Sequence, residues 1–334
     1  MGLQTVYYSA LVCALTITVT STASGASILT PHNAIVSGNF TDLNSIDIGG
    51  GLAAQGIVTF QGNSLVADGL DGELTNAFPQ DATFVAAGGV TGGTAQVDAG
   101  NYYAPSGTVS CSSCTKLTTD PINFSADFGT GGTFDALSTQ WSTANGGVTT
   151  SGDSIANVSG YNGGTTTITV SPSNKGMNVI YVSAADALWL SANVVNITGV
   201  SSASWLVVDV QGTADQLGGS SMTVDGGGAN GNTTTTEVEN VVFNYYQASS
   251  LTLNGAVLGS VLAPSAAVTG AGNGTEFDGS LVANSFTGHP LSGSGGTEFH
   301  NFPFYGGATP EPAPLACVGA GLIALALFRK RRRG

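Results

Sequence analysis

The chain has 334 residues, with 49 glycines, 42% apolar residues and a formal net charge of −14 at pH 7. This apolar content with few charged residues excludes a disordered chain, and the acidic balance excludes a nucleic-acid binder, because phosphate backbones repel it. Ahead of Thr309 only Lys116 and Lys175 stand against twenty carboxyls, a net charge near −18. The first predicted element is an export signal. Tyr7 to Val19 is mostly apolar and leads through small residues to Ser24-Gly25-Ala26, so residues 1–26 read as a cleaved signal peptide. Residues 1–30 contain no Lys or Arg, which leaves the amino terminus as the only positive charge of that segment.

The body, residues 27–306, reads as all-β. Gly is about twice its usual share, and Thr, Ser, Val, Ala and Asn favour turns and strands over helices. Strand-like runs with Gly or Asn punctuation are Ala34–Val36, Gly56–Phe60, Thr83–Ala86, Thr166–Val170, Asn178–Val182, Leu188–Ile197, Trp205–Val210 and Val241–Asn244. Between them, Asp68, Asp71 and Glu73 bring three carboxylates into six residues with intervening glycines. That is the composition of a calcium loop, although it lacks the EF-hand pattern, and a plain surface turn is the alternative.

Of the four cysteines, Cys13 and Cys317 belong to the chain ends, and Cys111 and Cys114 remain as CSSC. In an exported protein this spacing predicts a local disulfide that staples a loop. A redox motif would need a βαβ context, and a zinc site would need a second ligand pair. One stretch breaks the β texture, from about 120 to 146. Asp120 with Pro121 reads as a helix start, and Phe134, Leu137 and Trp141 share one helical face. The run Gly129–Gly132 divides it, so one or two short helices lying on the β body are expected, with Trp141 as a packing residue.

Thr165-Thr166-Thr167-Ile168-Thr169-Val170 raises an ice-binding idea, because threonine ladders on a flat face order water. No TxT register is visible at a repeating period. Gly226-Gly227-Gly228-Ala229-Asn230-Gly231 fits GxGxxG, but the Asn and four Thr after it are poor helix formers, so a phosphate cradle is not expected. Farther on the chain becomes self-similar: Gly259-Ser260-Val261-Leu262-Ala263-Pro264 recurs as Gly279-Ser280-Leu281-Val282-Ala283-Asn284. Each copy closes alike, with Val268-Thr269-Gly270 and Phe286-Thr287-Gly288, and a weaker cousin is Gly50–Ala54 followed by Val58-Thr59-Phe60. A period near twenty with short strands and Gly or Asn corners predicts coils of a β-solenoid, of the right-handed β-helix type; a β-sandwich is the alternative. His32, His289 and His300 are the only histidines, and Glu298 with His300 would share a strand face. A metal would need a third ligand, so a structural role for His300 is the plainer expectation.

Two resemblances cover the chain. Asn33–Phe40, Gly50–Gln55, LTLNGAVLGSVLAPSAAVTG, GSLVANSFTG and Glu298–Phe304 together resemble the choice-of-anchor A domain over about residues 28 to 305. That resemblance implies an adhesive, β-solenoid-like surface module without an assigned enzymatic activity. The tail, residues 307–334, joins Pro310-Glu311-Pro312 to the uncharged run Leu315–Phe328 and then Arg329, Lys330, Arg331, Arg332 and Arg333. It resembles a PEP-CTERM sorting segment. A helix over about 314–328 would be short for a bilayer, at about 21 Å for its uncharged part, but able to span with snorkelling and thinning, basic end inside. The resemblance implies an exosortase-type processing protease, an inner-membrane intermediate, and delivery to the surface or extracellular matrix of a Gram-negative bacterium.

These observations predict an exported, non-enzymatic adhesin for polysaccharide or surface partners, with no cofactor except a conceivable calcium ion. The alternatives are a hydrolase or lyase acting on extracellular polysaccharide through paired carboxylates, and an ice-binding or coat protein.

Overall fold

The computed structural model describes residues 32–304, apart from 44–45, 67–83, 99, 145–156, 163, 171–175, 192, 202–203, 229–235, 271–275, 289–297, 301 and 303. All of these fall within one unit, Ser27–Gly306. The signal-peptide and sorting-segment expectations lie outside the described residues. No helix among the described residues is long and apolar enough to cross a membrane.

Most of the chain is a curled sheet of short parallel strands in three ladders. The first ladder runs Gly176–Val182, Ser204–Val210, Val241–Asn244, the front of Ser260–Gly270, the front of Leu281–Thr287, His32–Val36, Gly51–Ala54, Phe84–Ala86, Asn101–Tyr103 and Thr115–Lys116. The second runs Ala214–Leu217, Ser250–Leu253, the backs of Ser260–Gly270 and Leu281–Thr287, Phe40–Asp42, and the fronts of Val58–Val66 and Val90–Val97. The third runs Val257–Leu258, Glu276–Asp278, Glu298–His300, Asp47–Ile48, the backs of Val58–Val66 and Val90–Val97, and Val109–Ser110. A separate sheet stacks Thr165–Thr169, Val194–Thr198 and Ser221–Val224 in parallel, with antiparallel strands at both edges.

The strand order records an unusual path. The first described strand, His32–Val36, sits between Leu281–Thr287 and Gly51–Ala54. The chain therefore starts mid-stack, builds outward to Thr115–Lys116, and resumes at the opposite end before returning to its own beginning. Four aromatic residues fill the seam where the two halves meet. The ring centroids of Phe40 and Phe286 lie 4.9 Å apart, those of Phe286 and Phe299 5.4 Å, and those of Phe277 and Phe299 5.1 Å, all fully buried. Away from the seam the interior is mainly Val, Leu, Ile and Ala, as expected of strands buried between stacked neighbours.

The repeats noticed in the sequence are neighbours in space. Val261, Leu262 and Ala263 pair with Leu281, Val282 and Ala283, and these pair with Ala34, Ile35 and Val36, which in turn meet Leu52, Ala53 and Ala54. One corner shows why glycine is needed. A Cβ on Gly56 would lie 2.7 Å from the Gly38 carbonyl carbon, and one on Gly88 would lie 2.6 Å from that of Gly56. Successive turns stack there backbone on backbone, and no larger residue fits.

Two helices, α1 (Phe124–Phe128) and α2 (Thr133–Ala144), cover the outer side of the first ladder. The break between them falls on the glycine run. The first cap differs from expectation: Asn123 caps α1 by accepting from Ala126 N, while Asp120 Oδ1 closes a small turn on Ile122 N. Asp120 stands too far ahead of the first helical turn to reach its free amides. Phe134 and Trp141 are buried, and Leu137 packs beside them. Trp141, Trp205 and Phe304 form a mutual aromatic cluster with centroids 5.8–6.0 Å apart. It binds α2 to the sheet and to the end of the closing block. The run Leu188–Ile197 is not one strand; Ala187–Ser191 is a 3-10 turn, and the strand starts at Val194. There Trp189 N is tied back to Asp186 O, which turns the chain before it can extend.

Candidate functional site

The second ladder builds an ordered surface. Along each of its strands, side chains alternate between a buried inner row and a solvent-side outer row. The inner row is Leu251, Val268, Phe286, Phe40, Val58 and Val90, all buried. In the outer row the register places Thr252 beside Thr269, Thr269 beside Thr287, Thr287 beside Thr41, Thr41 beside Thr59, and Thr59 beside Thr91. Six threonines thus stand in one file, spaced by about 4.8 Å and spanning about 24 Å. The hydroxyls of Thr59 and Thr91 are 3.0 Å apart and hydrogen-bonded. β-branching keeps each χ1 restricted, so the file is stiff before anything binds.

A second file runs beside it, two positions earlier in each strand: Ser250, Ala267, Ser285, Asn39, Ile57 and Gly89. Asn39 Oδ1 accepts from Ile57 N at 2.9 Å and locks that turn. Neither file contains a charged residue. Asp42, on one of these strands, and Asp215, on the adjoining strand Ala214–Leu217, are buried. An uncharged strip on so acidic a protein is a distinct surface, suited to a neutral, repetitive partner.

Half of this file shows in the sequence, where Thr269, Thr287 and Thr59 close the repeated phrases, while Thr252, Thr41 and Thr91 carry no such sign. Its members come from separated segments, out of chain order, with intervals of 17 or 18 residues in some steps and 32 in another. The Thr165–Val170 run that drew attention lies instead in the separate sheet. There Thr169 pairs with Thr198, their hydroxyls 3.3 Å apart, but Thr167 meets Asn196 and Asn196 meets Thr223, so no file of threonines forms.

The third ladder presents the opposite chemistry. Glu276, Glu298 and Asp47 face one another across successive strands. Next to them the fully buried Asp278 holds the Nδ1 side of His300, while Glu298 Oε2 lies 3.6 Å from Nε2. The Glu298–His300 pair does share a face, and its further partner, Asp278, comes from the preceding strand. Burial pushes the Glu276 carboxyl above its ordinary value, with Asp278 and Glu298 adding to the rise and His300 opposing it. Among the described residues no group of three or more His, Cys, Asp or Glu is arranged to hold a metal ion. The arrangement is a histidine–carboxylate clasp on the closing strand, and it satisfies a buried carboxylate. The Asp215 carboxyl, on the second ladder, is also raised, by burial.

Cys111 and Cys114 carry a disulfide, with Cα atoms 5.7 Å apart, in the turn between Val109–Ser110 and Thr115–Lys116. His32 is buried in the first strand. Gly226 lies in a turn and Gly227–Gly228 forms a short antiparallel strand, not the start of a helix. Asp68, Asp71, Glu73, His289, Pro310, Glu311, Pro312 and Arg329, Lys330, Arg331, Arg332 and Arg333 lie outside the described residues.

A parallel β body with a stiff, regular, uncharged face is what a contact surface requires. The family model described as Putative Ice-binding-like adhesive domain matches residues 25–301. The chain belongs to this family. Membership in an adhesive family supports a cell-surface role with surface partners in general. Neither the curated proteins nor the solved structures contain a match.

Proposed function

We propose that this protein is an exported adhesin whose contact surface is the uncharged strip of the second ladder. The in-register file Thr252, Thr269, Thr287, Thr41, Thr59 and Thr91 carries this reading. Many weak, identical contacts along a rigid strip add up to useful retention when the partner repeats as well. The body is read as a choice-of-anchor A domain, and the three ladders as faces of a right-handed β-solenoid, in keeping with the strong preference for right-handed parallel crossovers. The tail is read as a PEP-CTERM segment, processed by an exosortase-type protease on the way from a membrane-anchored intermediate to the cell surface or matrix. The Cys111–Cys114 staple fits an oxidising destination. No catalytic step is assigned.

The test is to incubate the purified protein with extracellular polysaccharide from its own host, with and without calcium. Retention and newly released reducing ends are followed together. The calcium arm addresses Asp68, Asp71 and Glu73. Retention without new ends is expected, and release of oligosaccharides overturns the adhesive reading in favour of an enzyme.

The same file favours one further reading, an ice surface, because evenly spaced hydroxyl and methyl groups order water. Growing single ice crystals in the protein solution tests it. Faceting that disappears in Thr269→Lys/Thr287→Lys makes ice the partner, and unaltered crystal shape removes the idea.

A further inference from the structure

The outer row of the first ladder changes character along its length. Ile35, Val282 and Leu262 lie in the apolar layer beneath the helices. The row then turns polar through Asn244 and Asp209 and ends at Tyr181. Asp209 and Asn244 are fully buried. Asn244 Nδ2 donates to Asp209 Oδ1 at 2.6 Å and to Ser138 O at 2.9 Å, and Ser138 Oγ donates to Asn244 Oδ1 at 2.5 Å. This network forms a rigid floor beside the exposed end of the row.

Tyr181 is 45% exposed, and with Ile57 it is one of two large apolar side chains so placed among the described residues. Its ring is not free to swing. The Tyr181 hydroxyl donates to Gln211 Oε1, and the Tyr246 phenol lies near it. Burial, the neighbouring Tyr181 and the nearby Asp209 push the Tyr246 hydroxyl up to about 12. With its Oε1 accepting from Tyr181, the donor that Gln211 can offer a ligand is its NH2 end. Exposed ring, hydroxyls and amide are thus gathered in one place, already ordered, and a partner loses little entropy by meeting them.

We propose that Tyr181, with Tyr246 and Gln211, is a stacking subsite for one pyranose ring of a neutral polysaccharide. A pyranose with equatorial hydroxyls offers a flat C–H face to the phenol ring and hydroxyls at its rim to the amide and phenols. Neutral polymers are singled out because a chain of net charge −14 repels uronate-rich ones. The proposal rests on the adhesive reading and adds to it a contact separate from the threonine strip.

The experiment is affinity electrophoresis of the full chain, in mild non-ionic detergent, through gels containing hydroxyethylcellulose, galactomannan or laminarin, with alginate as the anionic control. Retardation by at least one neutral polymer is expected, with little by alginate. Tyr181→Ala should weaken that retardation about 3- to 10-fold, as the loss of one aromatic contact implies. Tyr181→Phe, which keeps the ring but frees it from Gln211, should lose less. Gln211→Ala serves as the second probe should Tyr181→Ala not fold. Three results overturn the subsite: no retardation in all three neutral gels, retardation by alginate alone, or equal retardation of wild type and Tyr181→Ala. Thr269→Lys/Thr287→Lys separates this failure from that of the adhesive reading. It should lose retention on host polysaccharide yet keep its mobility shift in the neutral gels, whereas Tyr181→Ala should do the reverse.

Discussion

The second and third ladders are built alike and behave as opposites. They share the strands Val58–Val66 and Val90–Val97, and both pack aromatic residues of the seam on their inner side. Their outer rows diverge, with threonine facing threonine on one and carboxylate facing carboxylate on the other. Parallel stacking repeats whatever the outer row contains. It converts one residue per turn into a file, multiplying hydroxyls into a contact strip and like charges into a strain that a histidine must relieve. The architecture thus amplifies composition without choosing it.

The largest effect should come from breaking what the two ladders share. Phe286→Ala and Phe299→Ala each empty part of the seam, and either is expected to cost about 3–5 kcal/mol, read by denaturant unfolding. A cost near that of an exposed substitution would mean that the halves do not depend on the seam. Next, charging the threonine strip sharpens the contrast between the faces. Thr269→Lys/Thr287→Lys should change stability by about 0.5 kcal/mol or less, as surface substitutions do, while lowering retention at least tenfold. Retention that survives two added cations would move the contact surface elsewhere.

The smallest effect concerns the acidic file. Because the Glu276 carboxyl titrates above its ordinary value in the folded protein, the native state holds its proton more tightly than the unfolded chain. Its contribution to stability is full below the ordinary glutamate range, about pH 4.3, and is lost as pH rises through the folded value. The residues facing it are Asp278, Glu298, His300 and, one strand farther on, Asp47. Thermal unfolding of Glu276→Gln across pH 4–7 should show a flatter slope and a slightly higher midpoint at neutral pH. An unchanged slope would show that the file carries no net repulsion.

Much of the fold was legible in the sequence, and most of the contact surface was not. The twenty-residue echo of Gly259–Pro264 in Gly279–Asn284 announced two strands that do pair, and Gly50–Ala54 proved to lie two strands farther along the same ladder. Phe134 and Trp141 announced a helix face that does bury. Elsewhere the spacing between paired strands changes: Leu52 pairs with Phe84, and Leu206 with Val241, the latter with Ser221–Val224 of the separate sheet and the 3-10 turn Thr236–Asn240 between them. A period search loses the pattern there, and Thr41 and Thr91 look unrelated to Thr59 until the strands are laid side by side. The same holds for Asp278 and His300, which are neighbours across a ladder though twenty-two residues apart in the chain.

Local chemistry is what the sequence determined by itself: strand-rich texture, glycine corners, a helical insert and an acidic body. These follow from nearest-neighbour preferences, which need no partner. Register and adjacency were decided only by the tertiary structure. Insertion of the first described strand beside Leu281–Thr287 aligned Thr41 with Thr287 and so joined two short threonine runs into one file. Pairing between distant segments depends on which hydrophobic rows bury together, a property of the whole fold that no single stretch contains.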